Sequence, residues 1–419
     1  MGAGLQVRVS AGTDPSTGER IVLVETVPVE KPGNERSERA AMNQAEKIRT
    51  RLLGEADSLK VARTKSTLGA LLDRWLPQHQ VDPTTRMNYE SQIRNYIQPN
   101  LGDVPLLLLV QDASERLETF YARLRRCRHL CPGKPFIDKH HTSDPHDCAA
   151  VKCQVHVCAP YAASSVRQIH AILSGAMSAA VRWGWISYNP MPSVKPPMKK
   201  RPQPRPPSSD QMARIVDAAW AASDEWGLYV WLSAVTGARR GEVIALQWND
   251  IDLTNLILRL DENYVRASDG MILKDTKTHQ MRRVSIDEPT AKLLSEYKTR
   301  CARQLSLLGL TLTEETWLFS AQPDFSKPRD PSAVTRRYSR LARRLGIDTQ
   351  LKQLRHYSAT ELLTSGVDLR TVAGRLGHGD GGATTLRHYA AWVGSADQAA
   401  ARTIGARMPT LAVRDASSS

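Results

Sequence analysis

The chain has 419 residues, 41% of them hydrophobic and 24% charged, with a formal net charge of +14. This length exceeds one ordinary core and predicts about two to four domains. No apolar run is long enough to span a bilayer, and MGAGLQVRVS lacks the basic and apolar segments of a secretory leader, so a cytoplasmic protein is expected. The basic excess favours a polyanionic partner, either nucleic acid or an anionic surface.

Residues 1–62 contain nine Lys or Arg and nine Asp or Glu, so the whole excess lies in residues 63–419. This neutral segment alternates as LQVRVSA, turns at GTDPSTGE and alternates again as RIVLVETV, which predicts two strands. A helix over about Glu38 to Leu53 follows, completing a small β-rich domain with one helix.

Residues 66–188 predict an all-α unit. Ser66 or Thr67 can cap STLGALLDRWL, whose Leu68, Leu71, Leu72 and Trp75 share one face. TTRMNYESQIRNYI, SERLETFYARLRR and ASSVRQIHAILSGAMSAAVRWGWI continue the helical period. An insertion at 127–158, CRHLCPGKPFIDKHHTSDPHDCAAVKCQVHVC, holds five of the six cysteines and five of the eleven histidines. Cysteines clustered in this way in a cytosolic chain more often bind metal than form disulfides, and a structural zinc ion is the expectation. The best four ligands are Cys127, Cys131, Cys153 and Cys158, with Cys148, His146 and His156 as substitutes or as part of a second site. Reduced surface thiols or an unusual disulfide pair are the alternatives.

Residues 189–209 form a basic linker: Asn189 to Asp210 carries eight prolines and five Lys or Arg, a density that predicts an extended tether. Residues 210–401 read as an α+β, mainly helical unit with short strands near ILRL, NYVRA and RRVSI, and 402–419 as a tail.

Four segments of that last unit carry polar groups where a helix or hairpin would present them. TGARRGEVIALQW puts Arg239 beside a helix start, where its planar fork and free backbone N–H groups suit a phosphate. KDTKTHQMRRVSI places Lys277 before an alternating strand. LKQLRHYSATELL places Lys352, Arg355 and His356 within about one helical turn. In RLGHGDGGATTLRHYAAWV, His378 ends a helix and Tyr389 falls in the next.

Taken in order (TGxRxxE, KT before a strand, xxLRH, LGH, TTxxxY), these segments resemble the tyrosine recombinase, or phage integrase, family, and the resemblance covers residues 66 to about 400. It implies Tyr389 as nucleophile, Arg239 and Arg355 as the two catalytic arginines, Lys277 as the lysine and His378 as the histidine of the LGH box. Glu242 resembles the family's acidic buttress. The chain departs from the pattern in two places: Lys352 stands where many members have His, and the interval from His378 to Tyr389 is eleven residues, slightly long.

The resemblance further implies a site-specific DNA recombinase of a prophage or integrative element that needs no cofactor for catalysis. Residues 66–188 would be the core-binding domain and 1–62 an arm-type DNA-binding domain or a protein-contact domain. Implied partners are double-stranded attachment sites, a homotetramer on DNA, a host DNA-bending protein and an excisionase, with no membrane partner. A catalytically inactive architectural DNA-binding protein and a type IB topoisomerase are the competing readings.

Overall fold

The computed structural model describes residues 4–58, 64–133, 135–199, 204–268, 270–275, 282–378 and 404. The chain divides into two compact units, Met1–Lys200 and Arg201–Ser419. Among the described residues no helix is long and apolar enough to cross a membrane.

In the first unit, β1 (Gly4–Thr13) and β2 (Arg20–Pro28) pair antiparallel from Gly4↔Pro28 to Ser10↔Val22, with a register shift before Thr13↔Arg20. Alternation places Val9, Ile21 and Val27 inward. Helix α1 (Glu35–Ser58) covers that face with Ala41, Ala45, Leu52 and Ala56. It starts earlier than the periodicity suggested because the Asn34 side chain accepts from the backbone N–H groups of Arg36 and Ser37, at 3.1 and 3.3 Å. The hairpin turn is tied to the next element: buried Asp14 accepts from Ser16 N, Thr64 Oγ1 and Lys65 N at 2.8, 3.1 and 3.1 Å.

The helical part comprises α2 (Leu68–Gln78), α3 (Pro83–Gln92), a π-turn at Ile93–Ile97, α4 (Gln98–Leu101), α5 (Leu106–Arg126) and α6 (Ala163–Arg182). Thr67, not Ser66, caps α2, accepting from Ala70 N at 3.3 Å. Leu68, Leu71, Leu72 and Trp75 pack with Leu109, Leu117, Ile169 and Leu173 in one apolar core. Between α5 and α6 lies a short hairpin of β3 (Ile137–Lys139) and β4 (Gln154–Val155).

The proline-rich stretch is docked where it begins, contrary to the expectation of a tether from Asn189. Met191 and Val194 are buried in the helical core. Asn189 Nδ2 donates to Ser178 Oγ at 2.8 Å, Lys195 N to Glu118 Oε1 at 3.0 Å, and Arg167 to Pro197 O at 2.9 Å. The two apolar side chains among the prolines explain this, because burying them outweighs leaving the segment extended.

The second unit begins with α7 (Ser209–Ala222), closed by a Ser208–Gln211 capping box, and α8 (Asp224–Thr236), capped by Ser223. After the short α9 (Arg240–Ile244) come β5 (Ile251–Asp252), β6 (Ile257–Leu260), β7 (Glu262–Ala267), β8 (Gly270–Asp275) and β9 (Arg282–Ser285). They form two sheets, one in the order β5-β6-β9 and the other the β7-β8 hairpin. Helices α10 (Glu288–Leu307), α11 (Pro331–Arg344), α12 (Lys352–Thr364) and α13 (Leu369–Leu376) follow. Trp226, Tyr229, Leu232, Trp248, Phe319 and Tyr338 centre the core.

Candidate active site

The TGARR turn is built by two local features. Thr236 Oγ1 donates back to Leu232 O at 2.6 Å and accepts from Ala238 N at 3.1 Å, which ends α8. Gly237 then adopts φ +61°, and a Cβ there would lie 2.6 Å from Leu376 Cδ2, so only glycine lets the turn meet α13. Its carbonyl accepts from Arg355 Nη1 at 2.7 Å. Arg239, two residues on, donates through Nη2 to Gly377 O at 3.1 Å, and Gly377 immediately precedes His378. Gly377 is also left-handed, at φ +69°, with room for no Cβ because Arg282 Nη1 would stand 2.6 Å away. Arg239, Arg355 and the backbone before His378 therefore meet at two glycines.

One carboxylate holds this cluster from beneath. Glu242 is buried, and its Oε2 accepts from Arg239 N at 2.7 Å and Arg282 Nη2 at 2.5 Å, while Oε1 accepts from Arg239 Nη1 at 2.8 Å and Arg282 Nη1 at 3.1 Å. Arg282 is buried as well, whereas the Arg239 side chain is 30% exposed and can reach a ligand. The Arg239 backbone N–H is thus engaged by Glu242, and α9 is a short helix of five residues. Arg375 braces α13 against the same region, donating to Ser285 O at 2.9 Å and Val235 O at 3.0 Å.

Burial alone would push the Glu242 carboxyl up, but the Arg282 hydrogen bonds and charge, then those of Arg239, bring it down to about 2 from its ordinary 4.5. A depressed carboxylate contributes stability that is complete above about pH 4.5 and is lost as pH falls toward 2, on the order of 3 kcal/mol. Urea unfolding at stepped pH is expected to show this loss in the native chain and a flatter profile in Glu242→Gln. Identical slopes in both would remove Glu242 as its source.

Of the residues expected from the sequence, Arg239, Arg355 and His378 fall at this cluster, and Lys352 is exposed at the start of α12, one turn before Arg355. Lys277 and Tyr389 lie outside the described residues. Sequence reasoning missed Arg282. Its signal was present: in RRVS the inward positions are Arg282 and Val284, so an arginine stands where a strand facing the core calls for an apolar side chain.

The cysteine–histidine insertion gathers into two groups rather than one. Cys127, Cys131, His156 and Cys158 form the first, and His140, His146, Cys148 and Cys153 the second; within each group the donor atoms lie within 4.8 Å of one another. This corrects the expected quartet of Cys127, Cys131, Cys153 and Cys158: Cys153 sits in the other group and His156 takes its place. Cys148 and His146, expected as substitutes or members of a second site, belong to the second group, and His140 was not foreseen.

A model of the phage integrase family matches residues 208–393, and one of the phage integrase N-terminal SAM-like domain matches residues 67–109. The ICEBs1 integrase of Bacillus subtilis (strain 168) is 23% identical over 377 residues, covering 89% of each chain. Among solved structures, the Tn1549 transposon integrase in complex with transposon right end DNA aligns with a TM-score of 0.60 at 15% identity, covering 81% of this chain and 99% of that one. A lambda integrase tetramer bound to a Holliday junction aligns with a TM-score of 0.51 at 19% identity, covering 90% and 91%. The two solved structures share the fold; the matched catalytic and SAM-like regions together span more than half of the chain, which belongs to the phage integrase family of tyrosine recombinases, enzymes that cut and rejoin DNA.

Proposed function

We propose that this chain is the site-specific integrase of a prophage or integrative element and that Tyr389 is its nucleophile, with Arg239, Arg355, Lys277, His378 and Lys352 completing the site. The observation that carries this reading is that Arg239 donates to Gly377 O, just before His378, and Arg355 to Gly237 O, in the turn packed against Leu376, so that both guanidinium groups are tied to adjoining backbone.

The chemistry follows from those groups. The Tyr389 phenolic oxygen attacks the scissile phosphorus, a new P–O bond forms, and the bond to the 5′ oxygen breaks. The result is a 3′-phosphotyrosine and a free 5′-hydroxyl. His378 takes the phenolic proton and Lys277 supplies one to the departing oxygen. The arginine forks carry the charge that develops on the non-bridging oxygens, and removal of one such donor costs on the order of 3 kcal/mol. Lys352 adds positive charge and a hydrogen-bond donor. Because the phosphotyrosine conserves the bond energy, a 5′-hydroxyl from the partner duplex reverses the step without ATP.

Residues 66–188 would hold the core site, since the basic excess of the chain lies beyond residue 62 and phosphate contacts dominate affinity. The face of the β1-β2 sheet turned away from α1 exposes Gln6, Arg8, Ser10 and Thr26, polar and basic groups suited to a groove at separate arm sites, with the apolar Val22 and Val24 beside them. By analogy with the lambda tetramer on its junction, four chains would exchange two strand pairs in turn, helped by a host DNA-bending protein and an excisionase.

A nicked suicide duplex cut from the DNA flanking the coding region tests the proposal. The expected result is a protein–DNA adduct stable in denaturing gels, mapped to Tyr389 by peptide mass spectrometry. Binding without an adduct would make the chain an architectural protein. An adduct with plasmid relaxation but no two-site recombination would make it a topoisomerase.

A further inference from the structure

We propose that the 127–158 insertion binds two zinc ions in separate tetrahedral sites, one held by Cys127, Cys131, His156 and Cys158 and the other by His140, His146, Cys148 and Cys153.

The distances between donors fit four-coordinate zinc. Bonds of about 2.3 Å to sulfur and about 2.05 Å to nitrogen at tetrahedral angles require edges of about 3.8 Å between sulfurs, about 3.6 Å between sulfur and nitrogen and about 3.3 Å between nitrogens. In the second group His140 Nδ1 and His146 Nε2 are 3.3 Å apart, and Cys148 Sγ lies 3.5 Å from the first and 3.6 Å from the second. Cys153 Sγ stands 3.0 Å from His146 Nε2. In the first group the Cys131 and Cys158 sulfurs are 3.4 Å apart, and Cys127 Sγ is 3.3 Å from His156 Nε2. These last three edges are short of the ideal by about 0.6, 0.4 and 0.3 Å, and the Cys131–Cys158 separation is far longer than the roughly 2.05 Å of a disulfide bond.

The histidines are oriented for the task. His146 turns Nδ1 to Asp144 O at 2.6 Å, which leaves Nε2 to face the cysteines. His156 likewise aims Nε2 at Cys127, with the Asp138 carboxylate 3.5 Å from Nδ1 and the Phe136 ring stacked on it at 4.4 Å. A hydrogen bond on the non-ligating nitrogen, as His146 makes to Asp144 O, is the usual companion of a zinc-bound imidazole, while Asp138 stands beside His156 Nδ1 without bonding it.

The fold of the insertion explains why two sites are needed. Lys139↔Gln154 pairing brings His140 beside Cys153 at the far end of the β3-β4 hairpin, while Phe136 and His156 lie at its near end with Cys127. The second site therefore nests within the loop closed by the first. Among the described residues from 127 to 160 only Cys127 and Cys153 are buried, one from each site, so the segment has no apolar core to hold the hairpin. Metal bonds supply that missing stabilisation. Cys127 directly follows α5 and Cys158 stands five residues before α6, so the first site clamps the base of the insertion where Arg128 N also donates to Ala159 O at 2.8 Å. Zinc is favoured because three thiolates with one imidazole, or two with two, in a tetrahedron suit it, and all four donors of each group lie within 4.8 Å of one another, as around one ion, whereas a [2Fe–2S] cluster spreads its ligands over two irons.

The test is metal analysis of the full-length chain purified without chelator, with X-ray absorption at the zinc edge. About two zinc per chain is expected, with an average first shell of five sulfurs to three nitrogens, falling to about one in Cys131→Ser and in Cys148→Ser while the helical circular dichroism is kept. One equivalent or fewer in the native chain would overturn the proposal, as would a single-site variant that keeps both ions. A sulfur-to-nitrogen ratio far from five to three does the same without any variant, should a substitution prevent folding.

Discussion

Tyr389→Phe is expected to form no covalent adduct on the suicide duplex while binding the same DNA within about twofold of the native chain. The benzyl group remains, so packing changes little, and an isolated loss of this kind stays within about 0.5 kcal/mol. The oxygen that would bond to phosphorus is gone, and cleavage falls by on the order of 10⁴-fold or more, as it does when other covalent nucleophiles are removed. Water could still attack in its place, but the product would be a hydrolysed strand rather than a trapped protein. Parallel gel-shift and denaturing-gel assays separate the two, and an adduct that persists in Tyr389→Phe would assign the nucleophile elsewhere.

Glu242→Ala is expected to destabilise the second unit by about 3–5 kcal/mol, because it strands the buried Arg282 guanidinium without its counter-ion. It also frees Arg239, which loses partners for both its backbone N–H and Nη1, so cleavage should drop at least about 10²-fold by the loss of one oriented donor. Stability and orientation can be told apart. Replacing the ion pair by apolar side chains, Glu242→Met with Arg282→Met, is expected to recover stability to within about 1–2 kcal/mol, yet leave cleavage low because Arg239 keeps only its bond to Gly377 O. Urea unfolding and adduct yield on the same preparations measure the two effects. If the double variant cleaved at the native rate, Glu242 would serve the fold alone.

Much of the architecture was legible because it depends on local rules. The alternation of LQVRVSA and RIVLVETV marks β1 and β2, and the apolar face of Leu68, Leu71, Leu72 and Trp75 marks α2. The helix boundaries were less legible. Asn34 capping moved the start of α1 back to Glu35, since a cap depends on a side-chain hydrogen bond that periodicity does not register. The proline-rich linker misled for a related reason: its composition describes an extended chain, while Met191 and Val194 pull its first residues into the core.

What the sequence determined by itself is the order of the chemical groups: an arginine in TGARRGE, a lysine before RRVSI, an arginine in KQLRH, then LGH and a tyrosine. Such an order is a property of the chain itself and needs no coordinates. What only the tertiary structure decided is who meets whom. Glu242 and Arg282 are forty residues apart, and no local rule pairs them until β9 is laid beside β6 and buried. The eight cysteine and histidine donors of the insertion sort the same way, for spacing along the chain would group Cys153 with Cys158, while the hairpin register sends them to opposite ends. Charge pairs and metal sites are long-range contacts, and their partners are chosen by the fold that removes water from around them.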